Sequence, residues 1–175
     1  MGWFKRKTKE PDFDLADCEK KKARFREIFN DVVSDGDTYT LLRATCSESK
    51  FEKGVYINKT TTTFYFYIVG YRRSDHQVIL VQISDDLTKY NEAFYIDMDA
   101  ITDVYYDAKV QQACLVYRKN YGSYGEILTL QDSHRKARHL PNISQKEERE
   151  DFLNFLEEFR HILEQKGCKL SKWKR

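Results

Sequence analysis

The sequence contains few of the residues that mark linkers, signal peptides or membrane spans. It has two prolines, Pro11 and Pro141, and no Pro/Gly/Ser-rich linker divides its 175 residues. No apolar run approaches the roughly 18 residues that a membrane-spanning helix needs, and the N-terminus lacks the apolar segment of a secretory signal. Because 41% of the residues are hydrophobic, the chain has enough apolar material for one core. These features together predict a single cytosolic domain.

Cysteine is also too scattered for a metal or disulfide framework. The four cysteines lie far apart, and the chain has no Cys-x-x-Cys pair. Disulfide-rich domains and structural zinc sites depend on such paired or clustered cysteines. We therefore expect free thiols at Cys18, Cys46, Cys114 and Cys168.

The chain lacks a combination of residues that would support catalysis or cofactor binding. His134 and His139 are separated by four residues and have no Cys-x-x-Cys partner, so a zinc site is not indicated. Residues 132–134 read Asp-Ser-His, but neighbours in sequence point apart and do not form a hydrolase triad. Gly122 and Gly125 lack the further glycine and the Lys-Ser/Thr ending of a phosphate-binding loop. We expect no catalytic residue, no metal ligand and no cofactor, and therefore a protein that is not an enzyme.

What the sequence does contain is a series of strand patterns between two amphipathic helices. Residues 14–34 predict the first helix, because apolar residues recur along it mainly at three- and four-residue spacings. Asp12 or Asp14 is suited to cap its N-terminus, and Gly36 to end it in the left-handed conformation. A helix of this kind packs on a sheet, pairs with the terminal helix or lies on a membrane, and packing is the commonest arrangement.

Residues 38–131 are rich in aromatic and β-branched residues and predict about seven strands in one continuous meander. The run over residues 60–71 is predicted to be a central strand, and polar turn residues separate it from the run over residues 78–83. These two runs are predicted to form an antiparallel hairpin. Gly122 and Gly125 are expected to make a tight connection before the last strand. The predicted strands cover residues 39–46, 60–71, 78–83, 94–98, 101–106, 113–118 and 127–131.

The last predicted element is a helix over residues 144–166. Ser144 and Glu147 have the spacing of a capping box, in which each side chain pairs with a backbone amide of the first turn. Gly167 is predicted to stop the helix. The fold class is therefore α+β, an antiparallel sheet buried under one C-terminal helix. The face that we expect to pack on the sheet carries Phe152, Phe155, Leu156, Phe159, Ile162 and Leu163.

Positive charge is concentrated at the two ends of the chain. The net charge is +2, of which residues 1–10 contribute +3 and residues 166–175 contribute +5, which leaves −6 for the remainder. Both tryptophans lie in these basic ends, and Trp beside Lys and Arg is typical of a segment that contacts an anionic membrane. In the alternative, the tryptophans pack back on the domain. The predicted membrane or polyanion contacts are Trp3, Phe4, Lys5, Arg6, Lys7, Lys172, Trp173, Lys174 and Arg175.

Two internal basic clusters are further predicted contacts. One follows the long predicted strand and the other lies in the loop before the last helix. Basic clusters beside strand aromatics also occur in single-strand nucleic-acid binders. The acidic remainder of the chain has less positive charge than phosphate neutralisation requires, so we rank nucleic-acid binding below the other functions. The two clusters are Arg72 with Arg73, and Arg135 with Lys136 and Arg138.

Two passages resemble the pleckstrin-homology superfamily in its short bacterial form. Residues 94–106, FYIDMDAITDVYY, are similar to that family's strand, short break with isoleucine and following strand. The strand EILTL and the helix EEREDFLNFLEEF are similar to its final strand and helix. The resemblance covers about residues 38–166. It implies a strongly bent seven-stranded barrel or sandwich with one end capped by the helix, and a binding or docking role at membranes or in protein assemblies.

Lipid-binding members of that family carry paired basic residues around the first hairpin, and the candidates for them in this chain are Lys50, Lys53, Lys59, Arg72 and Arg73. We therefore expect a cytoplasmic, non-catalytic binding module, held at the inner face of the membrane by anionic lipid or by a membrane-associated protein complex. The alternative is a protein-interaction adaptor without lipid contact. Self-association through the N-terminal helix is a further option. The expected organisation is a basic segment (1–12), the N-terminal helix (13–36), a pleckstrin-homology-like domain (37–167) and a basic tail (168–175).

Overall fold

The computed structural model of the chain describes residues 13–53, 57–119, 122–130 and 142–175. Two helices enclose a sheet, which confirms the α+β class. Short 3-10 turns precede the first and fifth strands. The elements are α1 (Leu15–Val32), β1 (Thr40–Glu52), β2 (Lys59–Arg72), β3 (Gln77–Ile83), β4 (Tyr90–Tyr95), β5 (Ile101–Asp107), β6 (Gln112–Lys119), β7 (Gly122–Thr129) and α2 (Lys146–Gln165).

All seven strands belong to one antiparallel sheet with the order β4-β3-β2-β1-β7-β6-β5. The predicted hairpin is confirmed, because β2 pairs with β3 and Tyr71 lies opposite Val78. The predicted continuous meander is wrong, since β1 lies between β2 and β7 while β4 and β5 form the two edges. β1 meets β7 at a single register position, Thr45 opposite Thr129. The described strands therefore make two antiparallel blocks joined at β1, and they do not close into a barrel.

The two helices cover opposite faces of the sheet. On the inner face, α2 buries Phe152 and Phe155 in a core that includes Leu42 and Val69. On the outer face, α1 packs in a second core, where Phe29 is buried together with strand residues such as Ile68. Alternate residues of β2 thus serve two cores. Burial of each large side chain stabilises the fold by about 1.5–3 kcal/mol. Of the three arrangements considered for the first helix, α1 adopts packing on the sheet.

The apolar face predicted for the last helix is confirmed with one difference. Ile162 is only partly buried, and Leu153 is buried although the sequence pattern did not include it. Leu153 extends the buried face around the helix, because α2 lies in the concave side of the sheet and contacts both β1 and β5. The other buried positions are Phe152, Phe155, Leu156, Phe159 and Leu163.

Two of the four predicted helix ends are confirmed, the start of α1 and the end of α2. Asp14 caps α1, because its carboxylate accepts from the backbone N–H of Asp17 at 3.1 Å. Gly167 ends α2 with a φ of +80°, which glycine adopts without steric cost. Gly36 does not end α1. The helix stops at Val32, Val33 is extended, and Gly36 begins the following 3-10 turn.

The predicted capping box at the start of α2 is wrong. Gln145 is the N-cap residue, and no side chain caps the helix there. The Gln145 side chain instead points to β1, where Oε1 accepts from the Arg43 backbone N–H at 2.8 Å and Nε2 donates to the Arg43 carbonyl at 2.7 Å. Buried backbone groups need partners. Because β7 pairs with β1 only at Thr45, the glutamine amide supplies the partners that a further strand residue would supply.

Gly122 is the first residue of β7 and pairs with Lys119, so the predicted tight connection lies directly before it. Gly125 lies inside β7 and is not part of that connection. Gly125 lies opposite Val116 of β6. A Cβ at this position would come within 2.3 Å of the Leu115 carbonyl oxygen, a distance that real Cβ atoms do not reach. This glycine is therefore used for close approach of two strands and not for a turn.

Candidate functional site

Part of the predicted contact surface lies outside the described residues. This holds for the N-terminal contacts and for the basic loop before α2, together with the two loop histidines. The residues concerned are Trp3, Phe4, Lys5, Arg6, Lys7, His134, Arg135, Lys136, Arg138 and His139. The predicted contacts that the structure describes are Arg72, Arg73, Lys172, Trp173, Lys174 and Arg175.

The C-terminal tail lies along β5. The Lys174 backbone N–H donates to the Tyr106 carbonyl at 2.9 Å, and the Lys174 carbonyl accepts from Ala108 at 2.8 Å. The Trp173 indole packs on the Tyr106 ring at 5.8 Å between centroids. Trp173 is partly buried against the inner core. In this arrangement the tryptophan packs back on the domain, which was the alternative to membrane contact.

The last two cations of the tail have carboxylate partners. Lys174 Nζ lies 2.7 Å from Asp107, and its hydrogen bond holds the pKa of that carboxyl below its usual value. Arg175 contacts Glu157 at 2.6 Å and Glu150 at 2.9 Å, both on α2. In contrast, no ion pair among the described residues involves Lys172. A polyanion approaching this tail would have to replace the carboxylates that Lys174 and Arg175 already contact.

Arg72, the last residue of β2, and Arg73, which follows it, are also in ion pairs. Arg72 contacts Asp75 at 2.6 Å and a second carboxylate, Asp35, before β1. Arg73 contacts Asp151 of α2 at 2.9 Å. These pairs fasten the β2–β3 turn to the segment after α1 and to the helix α2. The predicted basic cluster therefore acts within the fold as a set of ion pairs.

Asp151 connects the turn to the inner core. Its carboxylate accepts from the Tyr71 hydroxyl at 2.6 Å as well as from Arg73. The hydrogen bond from Arg73 lowers the pKa of Asp151, whereas burial and then the hydrogen bond to Asp151 raise the pKa of Tyr71. Asp151 is therefore held as a carboxylate and Tyr71 as a neutral phenol over the physiological pH range.

The first hairpin projects beyond the rest of the sheet. We call this projection, residues 47–52 of β1 and 59–64 of β2, the β1–β2 arm. Its residues pair with one another from Ser47 opposite Phe64 to Glu52 opposite Lys59, and all of them are exposed. β3 pairs with β2 only from Phe66 onward. Within the described residues, no strand pairs with the edge of β1 over residues 47–52.

The arm carries apolar side chains in solvent. Phe51 is 62% exposed, and Ile57, just before β2, is 80% exposed. Strand alternation places Phe51 and Phe64 on the same face of the arm, with the Ser49–Thr62 hydroxyl contact of 3.0 Å on that face between them. Lys50 lies 3.4 Å from Glu52, and no ion pair within the described part of the chain involves Lys53 or Lys59. The distal end of the arm is thus apolar and weakly basic.

A cavity of about 310 Å³ opens on the inner face of the sheet, outside the area that α2 covers. We call it the open-end pocket. Leu80, which is 2% exposed, belongs to its buried wall, and exposed Asn91, Glu92 and Phe94 of β4 lie at its mouth. The pairing of β3 with β4 is irregular between Val81 and Ile83, next to the pocket. The remaining lining residues are Tyr67, Gln82 and Glu126.

The ionisable groups of the open-end pocket are acidic or neutral. Burial raises the pKa of the Glu126 carboxyl. Burial, and then the nearby acidic groups Cys46 and Glu126, raise the pKa of Tyr67 to about 12. The described lining contains two carboxylates and no Lys, Arg or His. An anionic headgroup is therefore disfavoured in this pocket.

Sequence reasoning missed the open-end pocket, although a signal for it exists. Along β7 the inward positions are Glu126, Leu128 and Leu130, and the two leucines are fully buried. Along β3 the inward positions change from apolar Val78 and Leu80 to Gln82. A polar residue at the end of an otherwise apolar alternation indicates where the core stops. Only the pairing of the strands reveals that two such ends line one cavity.

The described residues contain neither a metal-binding cluster nor a membrane-spanning helix. In the part of the chain that the structure describes, no group of three His, Cys, Asp or Glu side chains is placed to hold a metal ion. No described helix combines the length and the apolar character needed to cross a membrane. All four cysteines are unpaired, as expected.

Comparison with known proteins found no similarity on which to base a family assignment. No protein-family model matches the chain, and neither a curated protein nor a solved structure matches it.

Proposed function

We propose that this chain is a non-catalytic protein-docking module and that its β1–β2 arm pairs with an extended segment of a partner protein. The observation that carries the proposal is the projection of the arm. Six residue pairs of β1 and β2 continue beyond the other strands, and they are exposed on both faces.

The energetics of a two-stranded ribbon support this role. Such a ribbon is marginally stable in water because it buries little apolar surface, and exposed strand edges attract other strands. The arm adds no buried residue to either core. A partner strand along residues 47–52 of β1 would accept and donate main-chain hydrogen bonds and would cover the Phe51 ring. Docking of a partner strand would account for both the exposed edge of β1 and the exposed Phe51 ring.

The pairing of the cations favours a protein partner over an anionic membrane. Arg72, Arg73, Lys174 and Arg175 all have carboxylate partners. A lipid surface attracts a peripheral protein by about 1 kcal/mol for each available cation near it. Cations that are already paired contribute less than that, and the arm itself carries Glu48 and Glu52 beside its lysines.

Site-specific photo-crosslinking in cells of the native host tests this proposal. A photoreactive amino acid replaces Ile57, two residues before the β2 part of the arm, and in a matched control it replaces Val110, which is 50% exposed on the β5–β6 turn. We expect a discrete protein adduct at position 57, none at 110, and loss of the adduct when Phe51→Asp is added. Equal adducts at both positions, or no adduct at 57, would refute docking through the arm.

Vesicle sedimentation distinguishes protein docking from the alternative of membrane contact. The purified chain is mixed with vesicles of phosphatidylcholine alone or with phosphatidylserine. We expect no sedimentation with either vesicle. Salt-sensitive sedimentation with the anionic vesicles that Phe51→Asp abolishes would replace the protein-docking proposal with membrane contact through the same arm.

A further inference from the structure

The open-end pocket has the size of a site for a small ligand, and it opens to solvent along β4, where Asn91, Glu92 and Phe94 are exposed. Its volume of about 310 Å³ lies at the lower end of the range for ligand pockets. Its walls come from three regions of the sheet: Tyr67 from β2, Leu80 from β3 and Glu126 from β7. β7 lies two strands away from β2 in the sheet order, so the sheet has to curl to bring them to one cavity. The pocket is a product of the curled sheet and not of a surface loop.

The chemistry of the lining selects the charge of the ligand. Glu126 is partly buried, and no hydrogen bond or ion pair within the described residues involves its carboxylate. Burying a carboxylate without a partner is unfavourable, and an opposite charge relieves that cost. Glu92 at the mouth adds a second carboxylate.

Aromatic and amide groups complete the lining. Tyr67 and Phe94 provide ring surface, and ring faces attract organic cations within about 6 Å. The Asn91 amide donates to Gln82 Oε1 at 3.1 Å, which holds these two polar side chains together at one wall. Carboxylates, ring faces and a fixed amide pair are the groups that bind ammonium and guanidinium ions in water-accessible pockets.

We propose that the open-end pocket binds a small organic cation, an alkylammonium or guanidinium group, with the Glu126 and Glu92 carboxylates as its ionic partners and the Tyr67 and Phe94 rings as its apolar contacts. The cation belongs either to a free small amine or to a Lys or Arg side chain presented by a peptide. A pocket of this volume accommodates one such group. This site is separate from the edge of β1 that we propose for docking.

Titration of the full chain by ¹H–¹⁵N NMR tests the proposal with defined probes. The cationic probes are n-butylammonium chloride and methylguanidinium chloride, and the neutral probe of similar shape is 1-butanol. We expect saturable shifts of the backbone amides of Tyr67, Gln82 and Glu126 with at least one cation and no saturable shift with 1-butanol. N-acetyl-lysine-N-methylamide then distinguishes the sources. Equal or tighter binding assigns the site to a peptide side chain, and binding of n-butylammonium alone assigns it to a free amine.

A pair of charge-neutralising variants locates the interaction. Glu126→Gln should weaken cation binding by about tenfold or more, because a charge-assisted contact is lost. Glu19→Gln on α1 removes the same charge from an exposed side chain on the opposite face of the sheet and should leave binding unchanged. Equal binding by Glu126→Gln and the unmodified chain, equal shifts with 1-butanol, or shifts scattered over the acidic surface would overturn the proposal. The isolated chain is used, so failure here leaves the docking proposal intact, and failure of the crosslinking experiment leaves this one intact.

Discussion

Replacing Gln145 with leucine is expected to be one of the most destabilising single substitutions in this chain. Leucine is similar in size but has no amide, so Gln145→Leu removes both hydrogen bonds to the Arg43 backbone. Gln145 is 1% exposed and Arg43 is 3% exposed, and water therefore cannot replace the lost partners. An unpaired buried donor or acceptor costs about 1–3 kcal/mol, so the two groups together should lower the free energy of unfolding by about 2–6 kcal/mol.

The neighbouring serine is the matched control. If Ser144 capped α2, Ser144→Ala would cost about 1 kcal/mol. The Ser144 side chain makes no capping hydrogen bond in the structure. We therefore expect Ser144→Ala to change the free energy of unfolding by less than about 0.5 kcal/mol.

Urea unfolding monitored by circular dichroism at the helix signal measures both variants. An unchanged dependence on urea with a lower midpoint would show a loss of native stability and not a change in the unfolded state. Gln145→Glu adds a pH test, because a protonated carboxyl can donate to the Arg43 carbonyl and a carboxylate cannot. The difference in unfolding free energy between Gln145→Glu and the unmodified chain should therefore become smaller as the pH falls. A cost below about 1 kcal/mol for Gln145→Leu, or a larger cost for Ser144→Ala, would refute the reasoning.

Two further predictions concern contacts of α2 and the tail. The pKa of Asp151 is lowered, so its carboxylate stabilises the fold at pH values above the unfolded pKa of about 4, and this stability is lost as the pH falls through the lower folded pKa. Asp151→Asn should therefore lower the unfolding temperature at pH 7 and make the unfolding temperature fall less steeply in acid. An acid dependence equal to that of the unmodified chain would contradict this. Trp173→Ala should lower the free energy of unfolding by about 1–3 kcal/mol, because Trp173 packs on Tyr106 and lies near Arg160. An unchanged urea midpoint would show that this packing contributes nothing to stability.

The elements that could be predicted from the sequence depend on neighbours within a few residues. The apolar spacing of α2, the hairpin of β2 with β3, the Asp14 cap and the Gly167 stop were all predicted correctly. The predictions that failed assumed that a local motif has one meaning. Ser144 and Glu147 have the spacing of a capping box, but the buried backbone of Arg43 in β1 recruits Gln145, the residue between them. The motif was outweighed by a contact between residues 102 positions apart.

In the candidate sites, too, local features were predictable from the sequence and contacts between distant residues were not. The basic character of Arg72, Arg73, Lys174 and Arg175 is evident from the sequence. Apart from Asp75, three residues after Arg72, their carboxylate partners are distant in the sequence, and only the fold brings them close. The exposed arm was only partly foreseen, because β1 was predicted to end at residue 46 and extends to Glu52. Strand propensity does not indicate whether a strand has a hydrogen-bonded neighbour. That depends on the register in which the strands of the sheet pair.

Local sequence patterns were sufficient to predict the class of fold, the buried face of the last helix and the central hairpin, because periodicity and turn chemistry involve only residues close in the chain. The order of the strands, the single register position at which β1 and β7 pair, the projection of the arm and the acidic lining of the open-end pocket follow only from the tertiary structure. Each of these depends on which distant segments pair. That choice is made by the burial of two whole cores and by the need to pair every buried backbone group, and neither requirement is local to any stretch of sequence.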